Sequence, residues 1–136
     1  MATEEKGVFL LIDADDFKGV NDSFGHLKGD KTLIQIGNIL LEEVNNGGIC
    51  GRIGGDEFAL FNNQIKNYDD IKMVCERIID KANAYKLDDA QHLSLSIGAV
   101  YFKGKTEYDI LYRTSDEALY KVKESGRNNY LILQSK

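Results

Sequence analysis

The chain has 136 residues, 43% hydrophobic and 29% charged, with 17 Lys and Arg against 22 Asp and Glu and a net charge of −5. That length predicts one domain with a real core. The acidic balance argues against non-specific binding to nucleic acid or to a membrane surface, both of which need a basic field, but leaves open a nucleotide whose charge a metal ion neutralises.

Val8 to Asp13 is an apolar run ending in acid, the pattern of a central strand buried on both faces. Phe17 to Asp22 predicts a short helical turn, then a glycine-marked loop around Gly25 and Gly29. From Asp30, residues Leu33, Ile36, Leu40, Leu41 and Val44 recur at helical spacing until Asn45-Asn46-Gly47-Gly48 stops them. Ile49–Ile53 and Phe58–Phe61 read as strands of a hairpin. Asp69 or Asp70 is the expected cap of a helix whose inner face carries Ile71, Val74, Cys75, Ile78, Ile79 and Ala82. Leu93 to Tyr101 alternates like a half-buried strand. Thr106 to Asp109 has capping-box spacing and opens a helix with Ile110, Leu111, Ala118, Leu119 and Val122, ended by Gly126. Tyr130–Leu133 reads as a last edge strand.

This order predicts an α/β (α+β) fold of the ferredoxin-like, palm type, a mixed sheet covered by helices. No apolar stretch is long enough to span a membrane and no signal peptide is visible. Cys50 and Cys75 lie in apolar runs outside any Cys/His cluster, so they read as reduced structural thiols in a cytoplasmic protein.

The segment Arg52-Ile53-Gly54-Gly55-Asp56-Glu57-Phe58 places two glycines and two carboxylates at a tight bend. It reads either as a solvated turn or as an exposed anionic tip suited to a hard cation, and so to phosphate chemistry. In the predicted sheet the Val8–Asp13 strand can lie beside this hairpin, so that Asp13 approaches Asp56 and the two form a metal site.

Read together, these segments closely resemble the GGDEF domain, the diguanylate cyclase family of bacterial signalling. Asp13-Ala14-Asp15-Asp16-Phe17-Lys18 resembles its first metal strand, Val20 to Asp30 its guanine-binding stretch, and Arg52 to Phe58 its signature. Leu95 to Gly98 resembles its later strand and Ser115 to Asn128 its terminal helix. The resemblance implies a nucleotidyltransferase that condenses two GTP into cyclic di-GMP with release of pyrophosphate. It implies a homodimer of two half-sites, each with two Mg²⁺ for which Mn²⁺ can substitute. The alternative is a catalytically silent GTP-binding regulatory domain.

By the same resemblance Asp13, Asp56 and the Ala14 carbonyl are metal ligands. Glu57 is a second-metal ligand or assists deprotonation of the 3′-hydroxyl. Asn21 and Asp30 read guanine; a carboxylate accepts from its N1–H and amine, and adenine has no donor at N1. Asp30 also reads as a helix N-cap. Gly54 and Gly55 let the backbone turn close beside the phosphates. Lys123 and Arg127 bind the β- and γ-phosphates and share one side if the helix persists to Arg127; cations complementing a helix C-terminus are the other reading. Lys18 also faces phosphate. Phe17, Phe24 and Phe58 stand as walls near the pocket, and His26 structures a loop.

Two departures follow from the comparison with the family pattern. The place of its Arg-x-x-Asp product-inhibition site reads Asn45-Asn46-Gly47-Gly48, which predicts no tight cyclic di-GMP binding there. The first strand begins almost at once, so either the sequence is an excised fragment or the front is absent; residues 1–136 are expected to form a single GGDEF domain lacking the usual N-terminal segment and any sensor or receiver domain. A missing front helix would leave apolar surface uncovered and favour self-association.

Overall fold

A computed structural model describes residues 6–44, 47–65 and 67–135. Its elements run β1 (Lys6–Ala14), α1 (Phe17–Glu42), β2 (Gly48–Gly54), β3 (Glu57–Asn62), α2 (Tyr68–Asn83), β4 (Leu95–Lys103), α3 (Tyr108–Glu124) and β5 (Tyr130–Gln134). One sheet holds all five strands in the order β2-β3-β1-β4-β5. β1 pairs antiparallel with β3 and β4, and β5 adds parallel to β4 at the edge. This is the expected mixed α+β, palm-like sheet, with the first strand beside the hairpin.

Strand alternation distributes the core. Val8, Leu10 and Ile12 face one side of β1 and pack with Ile36, Ile39 and Leu40 of α1 and Ile71, Val74 and Ile78 of α2. Phe9 and Leu11 face the other side and pack with Leu111 and Leu119 of α3. The odd-numbered row of β1 therefore points at α3, and Asp13 is its next member. A residue buried against a helix rather than exposed at a strand end is what the period of two delivers here.

Several local expectations give way. α1 runs through Gly29 and Asp30, and the expected loop shrinks to Gly25, where the helix breaks at φ 86°, ψ 164°. The cap of α2 is Asn67, whose side chain accepts from the Asp70 N–H at 2.9 Å, not Asp69 or Asp70. The six inner-face residues of that helix are the ones expected. No capping box forms before α3: Glu107 is the N-cap residue without a side-chain bond, and the buried Thr106 Oγ1 has no partner. β4 is buried on both faces rather than one, because α3 covers the side that the alternation had left to solvent.

α3 covers only part of its face. An open apolar groove lined by Phe9, Ile49, Ile53, Phe61, Tyr108 and Leu111 lies beside it over β2 and β3. Ile49 is 71% exposed there. Asn45 and Asn46, on which the product-site reading partly rests, lie outside the described residues, as does the opening Met1–Glu5.

Candidate active site

The hairpin tip is pinned to the end of β1 by register. Asp13 pairs directly with Glu57 on one side and with Ser96 on the other, so a polar row Glu57–Asp13–Ser96 crosses the sheet on the α3 face. The Ala14 N–H donates to the Asp56 carbonyl at 3.2 Å, one residue past the ladder. Arg52 closes the turn by donating from Nε to the Gly55 carbonyl at 2.7 Å, and Gly55 holds φ 47°.

The Asp13 carboxylate is almost wholly buried, yet only one of its oxygens is satisfied. Oδ2 accepts from Lys123 Nζ of α3. Oδ1 is buried without a partner. Burial pushes the Asp13 carboxyl up to about 6; Lys123 opposes the rise and the neighbouring Asp56 carboxylate adds to it. Two neighbouring carboxylates, one of them buried with an unpartnered oxygen, have only Lys123 as a counter-charge, a condition that favours binding a cation.

The donors are all oxygen, which fits a hard divalent cation. Among the described residues no three His, Cys, Asp or Glu side chains form a ligand cluster. Two carboxylates and a carbonyl suit an ion that keeps its remaining positions for water and substrate phosphate, rather than one held in an all-protein cage.

Glu57 is also anchored. Its Oε1 accepts from the Tyr112 hydroxyl of α3 at 2.9 Å, and that bond is the main reason the phenol is pushed up to about 12. Asp13 and Glu57 are thus both tied to α3, through Lys123 and Tyr112. The distance of α3 from the sheet is set at Gly98, where a Cβ would meet the Ser115 carbonyl at 2.0 Å.

Asn21 and Asp30 flank the Gly25 break in α1. A Cβ on Gly29 would lie 1.8 Å from Asn21 Oδ1 and 3.4 Å from the Phe17 ring, so these three residues meet beside Asp30. Asp30 is inside the helix and caps nothing, which removes the N-cap reading. Phe58 is not a wall of the site: it packs in the core with Leu60, on the face opposite Asp13. Lys18 is exposed on the first turn of α1, and Asp16 before it makes no side-chain cap. The first N–H groups of α1 therefore stand uncapped just beyond Asp13.

Arg127 does not lie on α3. The helix ends at Glu124, Gly126 turns at φ 115°, and the Arg127 N–H returns to the Val122 carbonyl at 3.0 Å. This is the six-to-one bond of a Schellman cap, which needs the left-handed glycine. Among the described residues the exposed Arg127 side chain has no hydrogen-bond or ion-pair partner.

Sequence reasoning gave no role to three residues that organise this region. Tyr112 holds Glu57, and Ser96 donates to Asp15 at 2.6 Å. Asp15 also accepts from the Asn128 N–H at 3.1 Å. Helical spacing does not single out Tyr112 as a polar contact, and the other two pairings span 81 and 113 residues.

The family model described as "Diguanylate cyclase, GGDEF domain" matches residues 1–129. Diguanylate cyclase DosC of Escherichia coli (strain K12) is 37% identical over 123 residues, which are 88% of this chain and 26% of that protein. The chain thus spans about a quarter of the length of that relative. The active GGEEF domain of a diguanylate cyclase from Vibrio cholerae is 30% identical with a TM-score of 0.84, over 94% of this chain and 83% of that one. Diguanylate cyclase SiaD of Pseudomonas aeruginosa, solved with its activator SiaC, is also 30% identical with a TM-score of 0.84, over 94% of this chain and 50% of that chain.

Proposed function

Since the chain belongs to the diguanylate cyclase GGDEF domain family, we propose that it binds GTP and a divalent cation, Mg²⁺ first, and joins two GTP into cyclic di-GMP across a dimer of half-sites. The observation that carries this reading is the buried, unpartnered Oδ1 of Asp13 beside Asp56.

In this reading Asp13, Asp56 and the Ala14 carbonyl hold the cation, with Glu57 at its edge. When bound there, the ion offsets charge on the attacked α-phosphate and the departing pyrophosphate. Lys123 exchanges Asp13 for phosphate oxygens, so its charge is set on the triphosphate once the carboxylate has another counter-ion. The uncapped N–H groups of α1, Lys18 and Arg127 add donors along the same phosphates. Gly54 supports a close approach by ligand. A Cβ there would meet nothing within 4 Å, and its φ is not positive, so neither packing nor backbone demands glycine. Asn21 and Asp30 read the guanine edge. Glu57 keeps one oxygen beyond the Tyr112 bond, for the second metal or for the 3′-hydroxyl proton.

The test is turnover. The purified chain is incubated with GTP and Mg²⁺, and cyclic di-GMP and pyrophosphate are followed, with Asp56→Ala and ATP as controls. Product from GTP alone, lost by at least ~100-fold in Asp56→Ala, is the expected result. GTP bound without product would assign the chain to the regulatory class instead. Neither binding nor product would end the reading.

A further inference from the structure

Asp15 stands two residues past Asp13 and serves neither metal nor base in the reading above. Its carboxylate is nevertheless fully engaged. It accepts from Ser94 Oγ, from the wholly buried Ser96 Oγ at 2.6 Å and from the Asn128 N–H at 3.1 Å. Its own N–H donates to the Ser94 carbonyl at 2.9 Å. Ser94 stands just before β4 and Ser96 is its second residue, and the third partner lies in the turn that leaves α3.

That turn is in an uncommon state. Arg127 at φ 65° and Asn128 at φ 51° are consecutive left-handed residues, and both carry side chains. Such residues persist only where their surroundings hold them. Two bonds do so on the C-terminal side of Arg127: Asp15 takes the Asn128 N–H, and the Asn129 carbonyl accepts from the Ile97 N–H at 3.0 Å. The guanidinium between these anchors and the Schellman cap is free among the described residues.

We propose that Asp15 is a positioning residue, which fastens the turn bearing Arg127 to the strand end bearing Asp13 and so presets the guanidinium for the terminal phosphates of the nucleotide. The proposal rests on the assignment of Arg127 to phosphate given above. The side chain acts through a backbone N–H, so it discriminates between nucleotides only by their phosphates.

The experiment compares binding of guanosine 5′-(α,β-methylene)triphosphate, which cannot release pyrophosphate, with binding of GMP, both with Mg²⁺. Asp15→Ala and Arg127→Ala should each weaken the triphosphate about tenfold and leave GMP within about twofold. The double variant should bind the triphosphate no more weakly than Arg127→Ala, because the two changes remove one interaction. Asp15→Asn, which keeps an acceptor oxygen for the Asn128 N–H, should retain most of the affinity. If Asp15→Ala does not fold, Asp15→Ser serves in its place, and faster amide exchange over residues 126–129 reports the released turn. Equal loss of both nucleotides, or losses that add with Arg127→Ala, would overturn the proposal. An effect of Arg127→Ala with none from Asp15→Ala would sink the inference alone. No effect from Arg127→Ala would remove the phosphate assignment and this inference with it.

Discussion

At the scale of single residues, Asp13 sets function against stability. Its carboxyl is pushed up to about 6 even with Lys123 beside it, so burial and the Asp56 charge outweigh the ion pair. A carboxyl whose folded value exceeds its unfolded value binds its proton more tightly in the native state. Its favourable contribution is complete below about pH 4 and is lost as pH rises through about 6. At neutral pH the metal-free protein therefore carries a destabilising negative charge. Asp13→Asn, neutral throughout, is expected to be more stable than the native chain at pH 8 in EDTA, with the gap closing toward pH 4. Urea denaturation across that range measures it. Lower stability of Asp13→Asn at pH 8 would mean that the Lys123 pair outweighs burial. The same variant should lose cyclase turnover, as sites that hold a cation trade stability for binding. Part of this site is legible in the sequence: the continuous apolar run Val8–Asp13 reads as a central strand that can lie beside the hairpin signature, which brings Asp13 to Asp56. The counter-ion is not, since Lys123 lies 110 residues away and its spacing on a helix says nothing of a partner on a strand.

At the scale of elements, two glycines make opposite predictions. At Gly98 the obstructing atoms are backbone, the Ser115 carbonyl at 2.0 Å and the Leu119 N at 2.6 Å. Gly98→Ala must push α3 off the sheet, and should cost about 1–3 kcal/mol or more in chemical denaturation. It should also lower turnover, since Lys123 and Tyr112 travel with the helix. At Gly29 the obstructing atom is the end of the Asn21 side chain, which can rotate away. Gly29→Ala should therefore leave stability within about 1 kcal/mol, helped by the better helix propensity of alanine. It should weaken GTP binding by displacing Asn21, as titration with the unreactive triphosphate would record. Unchanged affinity would argue that Asn21 does not read the base. These same elements mark what a linear reading can see. The inner face of α2 is legible because one period decides it. The extent of α1 is not, because Gly29 looks like a loop residue, whereas its small size serves a contact with Asn21. The cap of α2 falls on Asn67 because the helix begins before the acids that resemble a cap.

At the scale of the whole molecule, the proposed reaction cannot be completed by one chain. Cyclic di-GMP joins two GTP, and in the proposed reading each chain holds one; attack of a 3′-hydroxyl on its own α-phosphate would give 3′,5′-cyclic GMP instead. Specific activity should consequently rise with chain concentration until the dimer saturates, and fall in proportion on dilution. Charge gives this expectation a second, independent arm. Each copy carries a net charge of −5, which bound GTP does not reverse because its charge is at most balanced by the cations that come with it. Two such bodies repel over roughly a Debye length, about 30 Å at 0.01 M salt and about 8 Å at 0.15 M. At saturating GTP and low chain concentration, raising NaCl from ~10 to ~150 mM should increase turnover per chain, because screening helps the copies meet. Weaker binding of phosphate by Lys123 and Arg127 acts in the opposite direction, which is why nucleotide must be saturating. At high chain concentration, where dimer is already formed, the salt gain should vanish. Undiminished turnover per chain at dilutions where sedimentation shows only monomer would mean that a single copy does the work, and would remove the two-half-site reading.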